Sequence, residues 1–219
     1  MVVGVIFDID GTLVTFRFDV PRARKALIEE LGRRGFATGG LGLSTPSQVI
    51  LDSARAQSDA GRGTNYDGLR RAAFSILDTL EAESARTVVL LPGVREALDA
   101  LRSRGVRMAV LTNSGGKAAG EALERAGLLG RFEFVLTRDD TEIMKPRPEG
   151  LEMAARRFGL PRGSVYYVGD SAYDVQAGRA AGIRVIAVAT GSHTAERLKA
   201  EGADYTISSL AELGALLGA

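Results

Sequence analysis

From Val2 to Ile9 the chain carries a short apolar run rich in β-branched residues, the pattern of a strand buried on both faces. Beyond Leu91 runs of the same kind recur, separated by stretches of helical periodicity. Helices are predicted over Pro92–Arg104, Gly116–Ala126, Pro148–Phe158, Asp174–Ala181, Thr194–Ala200 and Leu210–Leu217, the first four ended by Gly105, Gly127, Gly159 and Gly182. Strands are predicted between them over Val106–Leu111, Phe132–Leu136, Val165–Val168, Val185–Val188 and Tyr205–Ile207. Parallel neighbours need crossover helices, so this alternation predicts an α/β fold with a doubly wound, Rossmann-like parallel sheet.

The stretch from Val14 to Arg86 breaks the rhythm. It shows helical patterns at Val20–Arg34, Pro46–Ala60 and Asp67–Ala85, with glycine-rich breaks at Gly39–Gly42 and Gly61–Gly63 and no strand-like run between them. An all-α insertion over residues 15–86 is expected, with the core domain built from 1–14 and 87–219.

Composition narrows the chemistry. The 219 residues include 28 basic and 27 acidic side chains, and a net charge of +1 gives no general pull toward nucleic acid or anionic membrane. Without cysteine there is no disulfide framework, thiolate nucleophile or iron–sulfur cluster. One histidine argues against a His-rich metal site or a Ser-His pair. No apolar run approaches the ~18 residues of a membrane helix, and no basic leader precedes the apolar start, so a cytoplasmic protein is expected.

Four short segments sit where predicted strands end: Asp8-Ile9-Asp10-Gly11-Thr12, Leu111-Thr112-Asn113-Ser114-Gly115, Met144-Lys145-Pro146, and Gly169-Asp170-Ser171-Ala172-Tyr173-Asp174. Open α/β sheets bind ligands outside the carboxyl ends of their strands, so all four would face one crevice. Like charges ~4 Å apart repel by about 4 kcal/mol at an effective dielectric near 20, so gathered carboxylates call for a cation. An oxygen-only donor set selects magnesium or calcium over zinc. Lys145, one of four lysines beside 24 arginines, adds a compact positive charge, and Thr112 and Asn113 add neutral donors. Such a set suits a phosphoryl group.

In order and spacing these segments resemble the motifs of the haloacid dehalogenase-like superfamily, in particular its phosphatases of the phosphoglycolate phosphatase type. The insertion lies where members with a helical cap carry theirs. The resemblance implies a magnesium-dependent phosphatase acting on a small phosphomonoester, 2-phosphoglycolate among the candidates, through an aspartyl-phosphate. It implies Asp8 as nucleophile and Asp10 as general acid and base. Thr112, Asn113 and Lys145 would bind phosphate. Magnesium would be held by Asp8, the main-chain carbonyl of Asp10, Asp170, and Asp174 directly or through water. An acid at position 10 points to a phosphatase, since the true dehalogenases lack it. A sugar-phosphate phosphatase, a nucleotidase and a phosphomutase fit the same motifs.

Singly, each segment has an ordinary structural reading. Asp10-Gly11 is a turn pair, Thr112 or Asp170 a helix cap, and Lys145-Pro146 a solvated loop. A phosphoryl-accepting signalling module also combines aspartates, a threonine and a lysine, but is smaller and lacks the insertion. Substrate choice is expected in the cap, where Arg17, Arg22, Arg55 and Arg62 are candidates for a second anionic group. His193 is expected at the surface.

Overall fold

The computed structural model describes residues 4–62 and 65–218; Val2 and Val3 of the first predicted strand, and Gly63 of the second glycine-rich break, lie outside them. The elements, in chain order, are β1 (Gly4–Phe7), β2 (Val14–Thr15), α1 (Val20–Arg33), α2 (Ser47–Asp59), α3 (Tyr66–Ser84), β3 (Val89–Leu90), α4 (Val94–Ser103), β4 (Arg107–Leu111) and α5 (Gly116–Arg125). Then follow β5 (Val135–Leu136), α6 (Arg138–Thr141), α7 (Glu149–Phe158), β6 (Val165–Gly169), α8 (Ala172–Ala181), β7 (Arg184–Val188), α9 (Ala195–Glu201), β8 (Tyr205–Ile207) and α10 (Leu213–Leu216).

Six strands form one parallel sheet in the order β5-β4-β1-β6-β7-β8. The order reverses between β1 and β6, and the crevice at that switch point opens at the carboxyl end of β1. Strand periodicity divides the core. Val5 and Phe7 face one side with Val110, Val168 and residues of α4 and α5, while Ile6 faces the other with Ala109, Tyr167 and residues of α7. Burial on both faces is the physical reason the strands read as unbroken apolar runs rather than alternating ones. The expected doubly wound sheet is present. No helix among the described residues is long and apolar enough to cross a membrane.

Helices α1, α2 and α3 bury their apolar stripes against one another through Leu27, Leu31, Ile50, Leu51, Leu69 and Leu77. Met144, from the loop that carries Lys145, joins this cluster, so the inserted helices form a cap seated on the core. Polar links join the two parts: Gln48 accepts from the Met144 amide at 2.8 Å, and Asp52 pairs with Arg147 at 2.6 Å.

Three local expectations are corrected. Val14–Thr15 and Val89–Leu90 pair as an antiparallel ribbon where the chain leaves and re-enters the core, too short for a sequence pattern to reveal. The strand predicted at Phe132–Leu136 is reduced to Val135–Leu136, although the Phe134 carbonyl already accepts from Val110. The helix predicted at Leu210–Leu217 splits into a 3-10 turn over Leu210–Glu212 followed by α10.

Candidate active site

All four sequence segments converge. Asp8, Asp10, Thr112, Asn113, Lys145 and Asp170 line a cavity of about 780 Å³ between the sheet's carboxyl edge and the cap. Asp8 extends β1, its amide donating to Val168 at 2.9 Å, and Thr112 extends β4 in the same way toward Leu136. Both side chains are thus set by strand ends rather than by a free loop.

Lys145 organises the floor. Its ammonium lies 2.8 Å from Asp8 and 2.6 Å from Asp174, and donates to the Tyr167 hydroxyl at 2.7 Å. Burial disfavours the charged ammonium, but Asp174 and Asp8 together outweigh it and raise its pKa. The Asn113 side chain grips the main chain of Lys145 at both ends, accepting from its amide at 2.8 Å and donating to its carbonyl at 3.1 Å. Asn113 lines the cavity, and its side-chain amide places Lys145. Thr112 is buried in the cavity wall, and its Oγ1 accepts from the Ser114 amide at 3.2 Å; it does not cap α5, whose N-cap is Gly115.

Asp174 does not line the cavity but lies beneath it, fully buried. One oxygen accepts from Lys145 and from Tyr167 at 2.7 Å, the other from the Ser171 amide at 2.9 Å and its hydroxyl at 2.6 Å. Those four bonds fill the carboxylate's acceptor positions. Burial acts to raise the Asp174 pKa, but Lys145 and its other donors hold the carboxyl below its ordinary value. Ser171 is the cap of α8, with Asp174 returning the bond in a capping box.

Asp170 is wedged between two glycines. A Cβ at Gly11, where φ is +73°, or at Gly191 would overlap its carboxylate. Its Oδ2 accepts from the Ser192 amide at 2.7 Å and the hydroxyl at 3.0 Å. These positions need glycine because main chain must approach a carboxylate closely.

Oxygens of Asp8, Asp170 and Asp174 all lie within 4.8 Å of one another. Burial, opposed by Lys145 and reinforced by Asp174 and Asp170, pushes Asp8 up to about 7. Burial and the Asp174 charge push Asp170 up to about 7 as well. Three carboxylates against the one ammonium of Lys145 leave net negative charge in an all-oxygen donor set, which fits a hard divalent cation. The Asp10 side chain stands outside this cluster: its Oδ1 accepts from the Phe16 amide at 3.3 Å. Burial and the Asp8 charge push it, too, up to about 7.

The ion-free protein should therefore lose stability as pH rises. Folded-state values near 7 lie above the unfolded value of 3.8, so the stabilising protonation is complete below about pH 4 and gone above about pH 7. Magnesium at one hundred times its Kd is expected to raise the melting temperature by about 5–10 °C at pH 8. A smaller gain is expected at pH 6, where protons compete for the same oxygens. Scanning fluorimetry reads both; a gain independent of pH would count against these carboxylates as the ligands.

The cavity also holds residues that the motifs did not single out. Thr190, Gly191, Ser192 and His193 follow β7, and Arg138 follows β5, so the strand-end rule that found the motifs extends to them. His193 is a correction: it is half-buried in the cavity wall, its Nδ1 2.8 Å from Ser192 Oγ and its ring edge-on to Tyr173. The cap arginines are another. Arg17 and Arg62 are exposed, Arg22 pairs with Glu83, Arg55 lies over the Tyr66 ring, and none of the four lines the cavity. Arg24 is the cap arginine that does. Nothing in its sequence surroundings marks it.

The family model for haloacid dehalogenase-like hydrolases matches residues 2–182. A phosphoglycolate phosphatase of Cupriavidus necator is 34% identical over 220 residues, covering 98% of this chain and 92% of the relative. One of Pseudomonas putida is 30% identical over 211 residues, covering 95% and 77%. The crystal structure of a family hydrolase from Deinococcus radiodurans, with bound phosphate and sodium, is 25% identical with a TM-score of 0.63, over 99% of this chain and 95% of that one. Strand order, cap, buried carboxylates and sequence likeness agree, and the chain belongs to the haloacid dehalogenase-like hydrolases.

Proposed function

We propose that the protein is a magnesium-dependent phosphatase of small phosphomonoesters, with Asp8 as nucleophile and Asp10 as general acid and base. The observation that carries this reading is Asp8 held against Lys145 at 2.8 Å on the floor of a capped cavity, with Asp10 on the same wall. Asp8 attacks phosphorus in line, forming an aspartyl-phosphate as the ester bond breaks, and Asp10 gives its proton to the departing oxygen. Asp10 then takes a proton from water, whose oxygen attacks phosphorus to release phosphate and restore Asp8. A pKa of about 7 suits Asp10 to both halves, since it can hold and return a proton near neutrality.

Phosphoryl transfer asks a protein chiefly for positioning and charge stabilisation. Lys145 supplies one fixed positive charge, placed by Asn113 and Asp174. Asp8, Asp170 and the Asp10 carbonyl would hold magnesium, whose charge would offset that of the phosphoryl oxygens. Asp174, with its acceptor positions filled, would act through Lys145 and Ser171 rather than as a direct ligand. Among substrates, 2-phosphoglycolate has the support of relatives that bear the name phosphoglycolate phosphatase.

Purified protein should hydrolyse p-nitrophenyl phosphate with magnesium and lose that activity to a chelator, regaining it when the metal is restored. Turnover indifferent to chelation would sink the metal-dependent reading.

A further inference from the structure

Three side chains of fixed positive charge line the cavity, and carboxylates neutralise two of them. Lys145 is paired with Asp8 and Asp174. Arg138 is paired with Glu81 and Asp78. Arg24, on α1 of the cap, has no carboxylate within ion-pair distance among the described residues. Its Nη1 donates to the Leu43 carbonyl at 2.7 Å and its Nη2 to the Tyr173 hydroxyl at 2.9 Å, both neutral. Its Nε is buried and has no acceptor. A buried donor left without a partner bears the full cost of its desolvation, so the site is incomplete as it stands.

The surroundings fix the guanidinium without neutralising it. It lies 5.9 Å over the Tyr173 ring, and the nearby cap residues of the cavity wall are apolar or hydroxylic: Phe18, Val20, Ser44 and Ser47. Glu81, the acidic cap residue in the wall, is committed to Arg138 and the Gly115 amide. One uncompensated charge with planar, forked donors matches one carboxylate; a second phosphate, with up to two charges, would ask for more donors than this corner offers. Tyr173 stands between Asp170 and Asp174 in sequence, so Arg24 reaches down from the cap onto the first turn of α8 beside the phosphoryl site. A substrate anchored by phosphate at Asp8 would meet Arg24 with its other end.

We propose that Arg24 receives a carboxylate on the leaving-group side of the substrate, so that the enzyme selects phosphorylated carboxylic acids over neutral phosphomonoesters. The inference rests on the phosphatase reading and assigns it a substrate class. The arriving carboxylate would supply the counter-charge and an acceptor that the protein itself withholds.

The test compares 2-phosphoglycolate with 2-hydroxyethyl phosphate, which replaces the carboxylate by a neutral alcohol on the same skeleton. Wild-type kcat/KM should favour the acid by about tenfold to a hundredfold, the range for a charge-assisted hydrogen bond. Arg24→Met should bring the ratio to within about threefold of unity, and Arg24→Lys should restore part of it. Calorimetry on the Asp8→Asn protein should show 2-phosphoglycolate binding weakened by Arg24→Met in similar proportion. No wild-type preference, or one that survives Arg24→Met, overturns the inference while p-nitrophenyl phosphate turnover leaves the phosphatase reading standing. Failure to hydrolyse any of the three esters with magnesium overturns both.

Discussion

Asp8→Asn is expected to lower kcat by on the order of 10⁴-fold or more, the scale seen when a nucleophile acting as part of a catalytic unit is removed. The change is nearly isosteric, but an amide does not attack phosphorus and form an acyl phosphate. The fold should tolerate it. Burial is the largest influence on the Asp8 carboxyl, and a neutral amide escapes that penalty while Asp174 still pairs with Lys145. The ion-free variant should thus melt no lower than wild type at pH 8. Steady-state kinetics and a melting curve together separate lost chemistry from lost structure, and a variant that kept its turnover would remove Asp8 from the role given it.

Lys145→Met should damage both. It strands Asp8 and Asp174, both buried, without the ammonium they share. Breaking a buried ion pair by removing one partner costs about 3–5 kcal/mol, which corresponds to a melting temperature lower by on the order of 10 °C in a chain of this size. The deficit should be greater at pH 8 than at pH 5. Without Lys145 nothing comparable opposes the burial that raises Asp8, so its folded-state pKa climbs further above the unfolded value and the penalty grows as pH rises through it. Activity should fall by about 10²–10³-fold, as for a lost charge stabiliser. Equal melting at pH 8 would show that the lysine does not hold these carboxylates together.

The parallel core was legible because its strands are covered on both sides. Val165–Val168 and Val185–Val188 stand out as apolar runs, and the glycines after α7 and α8 take left-handed conformations at the helix ends, as their positions suggest. The candidate site was legible by the same logic, since three of its motifs follow β1, β4 and β6 directly and strand ends share one edge of the sheet; Met144-Lys145-Pro146 lies one step further on, in the loop after α6. Elements shorter than one period escaped. The ribbon of Val14–Thr15 with Val89–Leu90 has two residues a side, and its signal is its partner, which lies far off in sequence. The single turn α6 did carry a signature: Thr137 and Asp140 form a reciprocal capping box. Arg24 was illegible for another reason. Ala23, Leu27 and Leu31 mark the buried stripe of α1, but which flanking residue overhangs the cavity is decided by how the cap sits, a tertiary fact.

Arg138 has consequences for how the enzyme admits its substrate. Its side chain is 0% exposed, holds Glu81 at 2.7 Å and Asp78, donates to the Asn113 carbonyl at 2.8 Å and lies over the Phe74 ring. Glu81 in turn accepts from the Gly115 amide at 2.9 Å. Prising α3 away would orphan a buried guanidinium and the buried Glu81 at once, whereas the border at α1 and α2 is fastened by the Arg24–Tyr173 bond, the Gln48–Met144 bond and the solvent-facing Arg147–Asp52 pair. The cap is therefore anchored most firmly along α3, and the Arg24–Tyr173 bond closes the border beside the guanidinium that would greet an incoming acid.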